Sequence, residues 1–322
     1  MKKILIIAKM DMFKKENSQN RYNFLNFLNT KSNIRVIEDL PRTLNQTLEK
    51  LNKNHGFDPQ IIIYYALSAH SKWNDVKIKN IEISDKPIYL FFEDFHYKDS
   101  IVKLYNKYKF TGLIIPSSNP FETIEVFKNE NIYCLVWGFF INTDEFYINQ
   151  QVDKKYDILF YGYLHPTCYS LRCKIHFYLK QIKEKYPLSK IKIIDHPGYK
   201  QFSKETPRGH DLSVLLNKSK FAIATSSFKS LFVKKYLEIP LSGCHLVGDV
   251  PAHYKELLSG NILEIKRRED DNIIFKKIID ILNGKYDYLL DKTKMNKFAD
   301  KLKKEYSFEA GYEKLCIMFD SP

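Results

Sequence analysis

Short runs of apolar, often β-branched residues alternate along the chain with longer segments whose apolar positions recur every three or four residues. The first pattern suits strands buried in a parallel sheet and the second suits helices packed on it, so together they predict βαβ units. In the first half the runs predict strands at Ile4–Ala8, Ile34–Glu38, Gln60–Tyr65, Ile88–Phe92, Gly112–Ile115 and Tyr133–Trp137. Tyr22, Leu25 and Leu28 place a helix over Arg21–Asn29, and Ile101, Leu104 and Tyr105 place another before Gly112. A polar stretch, INTDEFYINQQVDKK, then separates this series from a second one. There the predicted strands are Asp157–Tyr161, Ile191–Ile194, Phe221–Thr225, His245–Val247 and Ile262–Ile265. Helices are predicted at Ser170–Lys185 and Asp211–Lys218, and one or two more across Thr293–Phe319. The fold class is therefore α/β, with two Rossmann-like, doubly wound domains over residues 1–150 and 151–322 and the boundary near Gln150.

A length of 322 residues fits two such domains better than a single core. The net charge of +13 favours an anionic partner, and it is unevenly spread. Residues 1–150 hold 20 basic and 17 acidic side chains, so most of the excess lies in the second half. A solvated lysine-rich surface accounts for much of it. Five cysteines without a CxxC pair give no disulfide framework, which points to a reducing, cytoplasmic setting. The opening MKKILIIAKM reads as a first strand, because Lys9 interrupts its short apolar run. No stretch is long enough for a membrane span, which leaves peripheral membrane contact open.

In open parallel sheets, ligands bind beyond the carboxyl ends of the strands. After the strand ending at Tyr161 come Gly162 and then Arg172, a glycine that lets backbone approach a ligand and a guanidinium that can fork onto phosphate. After Phe221–Thr225 come Ser226, Ser227, Lys229, Lys234, Lys235 and Glu238, a supply of hydroxyls and ammonium groups suited to a diphosphate. Lys235 and Glu238 share a helical face, and a plain surface ion pair is the simpler account of them. The surrounding KKYLEIPLSGCHLVGDVP changes that balance. Pro240 and Gly243 are expected to stop the helix and leave Glu238 at the sheet edge, where a carboxylate needs donors such as a ribose diol. His196 and His210 fall in nearby loops with base or phosphate as possible contacts, whereas His245 reads as a satisfied interior residue. Glu269-Asp270-Asp271 reads as a helix-capping run. In the first domain FFEDFHY offers Glu93, Asp94 and His96 after a strong strand, with Asp11 and Arg21 as further candidates to line a site.

Several classes are disfavoured. The first βα turn has no GxGxxG, and neither a P-loop nor a GxSxG elbow occurs. No His/Cys/Asp grouping has metal-ligand spacing, so no metal residue is expected. The lysines form no dense stripe and no nucleic-acid-binding signature is present, so nucleic acid is not an expected partner and a basic nucleic-acid-binding protein stays the weaker alternative.

The segment KKYLEIPLSGCHLVGDVP, with YDILFYG followed by YSLRCKI, HDLSVLLNKSKFAIATSS and WGFFINTDEF, resembles GT-B glycosyltransferases of the broad family-1/family-4 type, especially their short spore-maturation-protein-like and exostosin-like relatives. The resemblance implies two domains facing across a cleft, with a C-terminal helix crossing back to the first. It implies metal-independent, hexosyltransferase-like transfer from a nucleotide-diphosphate-sugar to a glycan, lipid or protein acceptor. A UDP- or GDP-sugar would be the co-substrate, with no resident cofactor. Glu238 would bind ribose, Lys235 and Arg172 the diphosphate, and Ser226 and Ser227 would form the phosphate loop, with Lys234, Gly162 and His210 beside them. A general base for an acceptor hydroxyl would come from Asp94 or His96, with Glu93 next to them. One departure stands out: eight positions before the ribose-binding carboxylate, retaining members often carry a second Glu, and here that residue is Ser230. Retention versus inversion stays open, and so does a non-catalytic nucleotide-sugar-binding homologue. The donor nucleotide, sugar, acceptor and oligomeric state are likewise open.

Overall fold

The computed structural model describes residues 1–11, 19–66, 76–92, 98–116, 124–125, 127–196, 207–227 and 230–320. The chain forms two compact units, Met1–Phe140 with Phe308–Pro322, and Ile141–Ser307. Each is an α/β domain of Rossmann-like type built on one parallel sheet.

In the first unit β1 (Ile4–Ala8), β2 (Ile34–Glu38), β3 (Ile61–Ala66), β4 (Ile88–Phe92), β5 (Gly112–Ile115) and β6 (Cys134–Val136) pair in the order β2-β1-β3-β4-β5-β6. Every residue of β1, β3 and β5 is buried, as expected where helices cover both faces of a parallel sheet. The register pairs Ile4 with both Ile34 and Ile61. The helix Leu44–His55 carries Leu44, Leu48 and Leu51 at helical spacing, and its ends are also written in the chain. Thr43 and Gln46 form a capping box, and Gly56 closes the helix at φ 58°. On one face of this sheet the core gathers around Phe24, whose ring centroid is 5.4 Å from Trp137, 5.3 Å from Phe140 and 5.0 Å from Phe308. Trp137 Nε1 donates to Gly311 O at 2.9 Å, which holds the last helix, Phe308–Asp320, within this unit.

In the second unit β7 (Tyr156–Tyr161), β8 (Ile191–Ile194), β9 (Ser219–Ile223), β10 (His245–Gly248) and β11 (Ile262–Glu264) pair in the order β11-β10-β9-β7-β8. From β7 the chain goes first to β8 on one side and then to β9 on the other, so the order reverses between β7 and β9. Open α/β sheets bind ligands at that crevice. The INTDEFYIN segment belongs to this unit: Ile141 and Phe146 are in its core, and Asn149 N donates to Asn217 Oδ1 at 2.7 Å. The expected span Thr293–Phe319 is two helices, Lys292–Tyr306 and Phe308–Asp320, divided at Ser307. Among the described residues, no helix is long and apolar enough to cross a membrane.

Candidate functional site

The loops after β7, β9 and β10 lie side by side at the carboxyl edge of the second sheet. Lys235 opens the helix Lys235–Leu241 and is only 8% exposed. Its ammonium group donates to Tyr161 O at the end of β7, lies 3.5 Å from Ile223 O at the end of β9, and stands 4.0 Å from the centroid of the Tyr161 ring. The side chain therefore spans the crevice where the strand order reverses. Burial, reinforced by the nearby Arg172 charge, holds the Lys235 ammonium well below the usual lysine range.

Gly162 explains how Lys235 can lie there. Its φ is +107°, and a Cβ on it would stand 2.6 Å from Lys235 Nζ. The positive φ favours glycine here, and the Lys235 ammonium packs into the space a side chain would take.

Arg172 spans the same crevice from the other side. It is 4% exposed, in the first turn of the helix Ser170–Lys185. Nε donates to Thr225 Oγ1 at 3.0 Å, Nη2 to Thr225 O at 3.0 Å and Nη1 to Tyr163 O at 2.9 Å, while the guanidinium lies 3.8 Å from the Tyr169 ring centroid. β9 ends at Ile223, two residues earlier than its sequence suggested, which puts Thr225 in the loop where Arg172 can take both its hydroxyl and its carbonyl.

Glu238 is in the first turn of the Lys235 helix and does not end it. Pro240 lies inside the same helix, and Gly243, at φ +62°, comes just after its end. The carboxylate is half-buried and forms no ion pair with Lys235. Its Oε2 accepts the Tyr161 hydroxyl at 3.1 Å. Burial raises the Glu238 pKa, opposed by the Lys234 charge, the Tyr161 hydrogen bond and the Lys235 charge. Lys234 is half-buried just before the helix.

His196 follows β8, and its ring meets that of Tyr163 edge-on at 5.2 Å. Burial, Lys235 and Arg172 all depress its pKa, which places it in the field of both cations.

Ser226 and Ser227 are in different situations. The Ser226 hydroxyl donates to Asp249 Oδ2 at 2.6 Å and its N–H to Asp249 Oδ1 at 2.8 Å, so its polar groups are engaged within the protein. Ser227 Oγ is buried with no hydrogen-bond partner among the described residues. His210 is exposed and stacks near Tyr147 at 5.9 Å, with no direct bond to Lys235, Arg172 or Glu238 among the described residues. Glu93, Asp94, His96 and Lys229 lie outside the described residues. In the first unit, Asp11 N donates to Glu38 Oε2 at 3.2 Å.

Two participants escaped sequence reasoning. Asp249, 6% exposed after β10, and Arg267, after β11, meet at 3.1 Å beside Ser226. Asp249 lies within KKYLEIPLSGCHLVGDVP without a role read from that segment, Arg267 carries no local motif, and only the adjacency of β9, β10 and β11 brings them together. His245 also differs from expectation. It is interior, but its Nε2 has no hydrogen-bond partner among the described residues, and burial pushes its pKa down to about 4.

The arrangement amounts to two buried cations bridging a switch-point crevice, with a half-buried carboxylate one helical turn away. Lys235 and Arg172 bring positive charge to the carboxyl ends of β7 and β9, and the Glu238 carboxylate offsets part of it.

No protein-family model matches the sequence, and no curated protein matches it either. Solved structures are similar in fold. TarM matches 81% of this chain with a TM-score of 0.56 at 15% identity, and the chain spans 55% of TarM's length. HepE from Anabaena, in complex with UDP-glucose, is matched over all of both chains with a TM-score of 0.58 at 12% identity. Sucrose-phosphate synthase from Thermosynechococcus elongatus is matched over 98% of this chain and 97% of its own, with a TM-score of 0.61 at 10% identity. These likenesses show the fold of the chain: the GT-B type, with two Rossmann-like α/β domains.

Proposed function

We propose that the protein is a glycosyltransferase that uses a nucleotide-diphosphate-sugar as donor. The observation that supports this reading is the pair Lys235 and Arg172, buried together across the crevice between β7 and β9. The similarity of fold to HepE, which binds UDP-glucose, supports a nucleotide-sugar as ligand.

In this reading the cations take the developing charge of the departing diphosphate. They are already desolvated and held by fixed carbonyls, so little reorganisation is needed as the bond breaks. Glu238 accepts the ribose hydroxyls, with Lys234 beside it, and Ser227 offers a buried hydroxyl to the phosphate groups. Transfer needs no resident cofactor and no metal, with UDP- and GDP-sugars as the first donors to try. The acceptor is a glycan, lipid or protein whose hydroxyl is deprotonated by Asp94 or His96, with Glu93 adjacent.

The direct test is incubation with UDP- and GDP-linked hexoses and a mixed acceptor panel, following release of nucleoside diphosphate. Release by the wild type that falls at least about a hundredfold in Arg172→Met supports transfer, on the scale lost when one charge-stabilising donor is removed. A second reading, a non-catalytic binder of the same ligand, draws on Ser230, which stands at φ +53° where a retaining enzyme's further Glu is expected. Tight diphosphate binding with no turnover of any donor would favour it.

A further inference from the structure

Asp249, Ser226 and Arg267 form a connected set of contacts next to Thr225, which binds Arg172. Asp249 receives the Ser226 N–H at 2.8 Å, the Ser226 hydroxyl at 2.6 Å and the Tyr236 hydroxyl at 3.2 Å. The Tyr236 hydroxyl also lies 2.7 Å from Asp249 O. Arg267 Nη2 reaches Ser226 Oγ at 2.6 Å, Asp249 Oδ2 at 3.1 Å and the Ser227 carbonyl. The approach of β10 to β9 that makes this possible depends on Gly248, where a Cβ would fall 1.7 Å from Ala224 O.

Two covalent links carry this set into the cation pair. Ser226 follows Thr225, which binds Arg172 through both its hydroxyl and its carbonyl. Tyr236 follows Lys235 and lies two residues before Glu238. Loosening Asp249 therefore frees the mount of Arg172 on one side and the helix turn bearing Lys235 on the other. A buried carboxylate with four donors keeps one geometry, and removing its cationic partner leaves the charge under-compensated.

We infer that Arg267 is a positioning residue for the diphosphate site, acting through Asp249 and Ser226 to set the spacing of Arg172 and Lys235 without touching the ligand. The inference rests on the reading of the Lys235 and Arg172 pair as a diphosphate site.

The test is calorimetric titration of inorganic diphosphate into the full chain, with folding of each variant checked by circular dichroism and thermal melting. Arg267→Gln is expected to raise the Kd about tenfold, and Arg267→Lys to stay within about threefold of wild type. Ser226→Ala is expected to weaken binding as well, and the double variant Ser226→Ala/Arg267→Gln to lose no more than the worse single one, since coupled residues do not add. A lower melting temperature with an unchanged Kd would mean a merely structural role and overturn the inference. Additive losses would overturn it too, by showing that Arg267 meets the ligand directly. If Arg267→Gln does not fold, Ser226→Ala decides: a raised Kd with an unchanged melting temperature supports the inference, and an unchanged Kd overturns it. Binding by wild type with every variant unaffected sinks only this inference, whereas no binding by wild type sinks the diphosphate site along with it.

Discussion

Among the described residues, Lys235 has two backbone carbonyls, and no carboxylate, at its buried ammonium group. Burial makes such a charge costly, and the Glu238 carboxylate offsets only part of that cost. Lys235→Met should therefore separate two properties that usually fall together. Its melting temperature is expected to equal or exceed that of wild type, while the Kd for a nucleoside diphosphate rises about tenfold or more. Gly162→Ala should act on the same residue from the other side. The φ of +107° and the clash with Lys235 Nζ predict a loss of stability of about 1–3 kcal/mol, measured by urea unfolding, together with weaker diphosphate binding.

His245 gives an acid-stability prediction whose sign can be worked out. It is neutral in the fold down to about pH 4, whereas the unfolded chain takes up the proton near 6.5. Between those values the unfolded state binds more protons, so stability falls as pH drops from about 6.5 to about 4, by up to about 3 kcal/mol in all. His245→Leu removes both that loss and the unpartnered Nε2, and its melting temperature should be flatter over this window. An equally steep acid loss in the variant would assign it to other groups.

At the scale of elements, the close seam between β9 and β10 is the most sensitive point. Gly248→Ala would place a methyl group 1.7 Å from Ala224 O, within the backbone itself, where no side chain can move aside. The expected cost exceeds about 3 kcal/mol, read as a fall in the urea midpoint, and it should be accompanied by loss of the Ser226 to Asp249 contacts. Strands such as ILIIA and IIIYYA were legible because both faces of a parallel sheet are covered, which leaves an apolar run with polar flanks. β9 was less so. Its first residues, Ser219 and Lys220, are polar because the strand starts directly from the end of a helix, and this shifts the apparent run toward Thr225. The cation pair was legible in part, since Arg172, Lys235 and Gly162 each follow a strand end. Asp249 and Arg267 were not, because a contact between residues 18 positions apart on separate loops depends on strand order, which no local pattern encodes.

At the scale of the whole molecule, the chain leaves its first unit at Phe140 and returns to it at Phe308. The polar look of INTDEFYIN conceals Ile141, Phe146 and Ile148, which pack on the second core, so a boundary read from composition alone falls later in the chain. The returning helix covers Trp137, Phe140 and Phe24, and Gly311 leaves no room for a side chain, with a Cβ only 2.7 Å from the Phe140 ring. Ending the chain at Ser307 is expected to expose Trp137 and red-shift its emission, while the diphosphate binding proposed for the second unit is retained. Preserved emission would show that the first core holds without that helix.

The proposed function depends on one ligand being held by the two bridging cations. Its sharpest test is calorimetric titration of UDP and GDP into wild type and Lys235→Met. Saturable binding of at least one of them by wild type is expected, with a Kd raised about tenfold or more in the variant. Binding of neither nucleotide at millimolar concentration, or equal binding by both proteins, would contradict it.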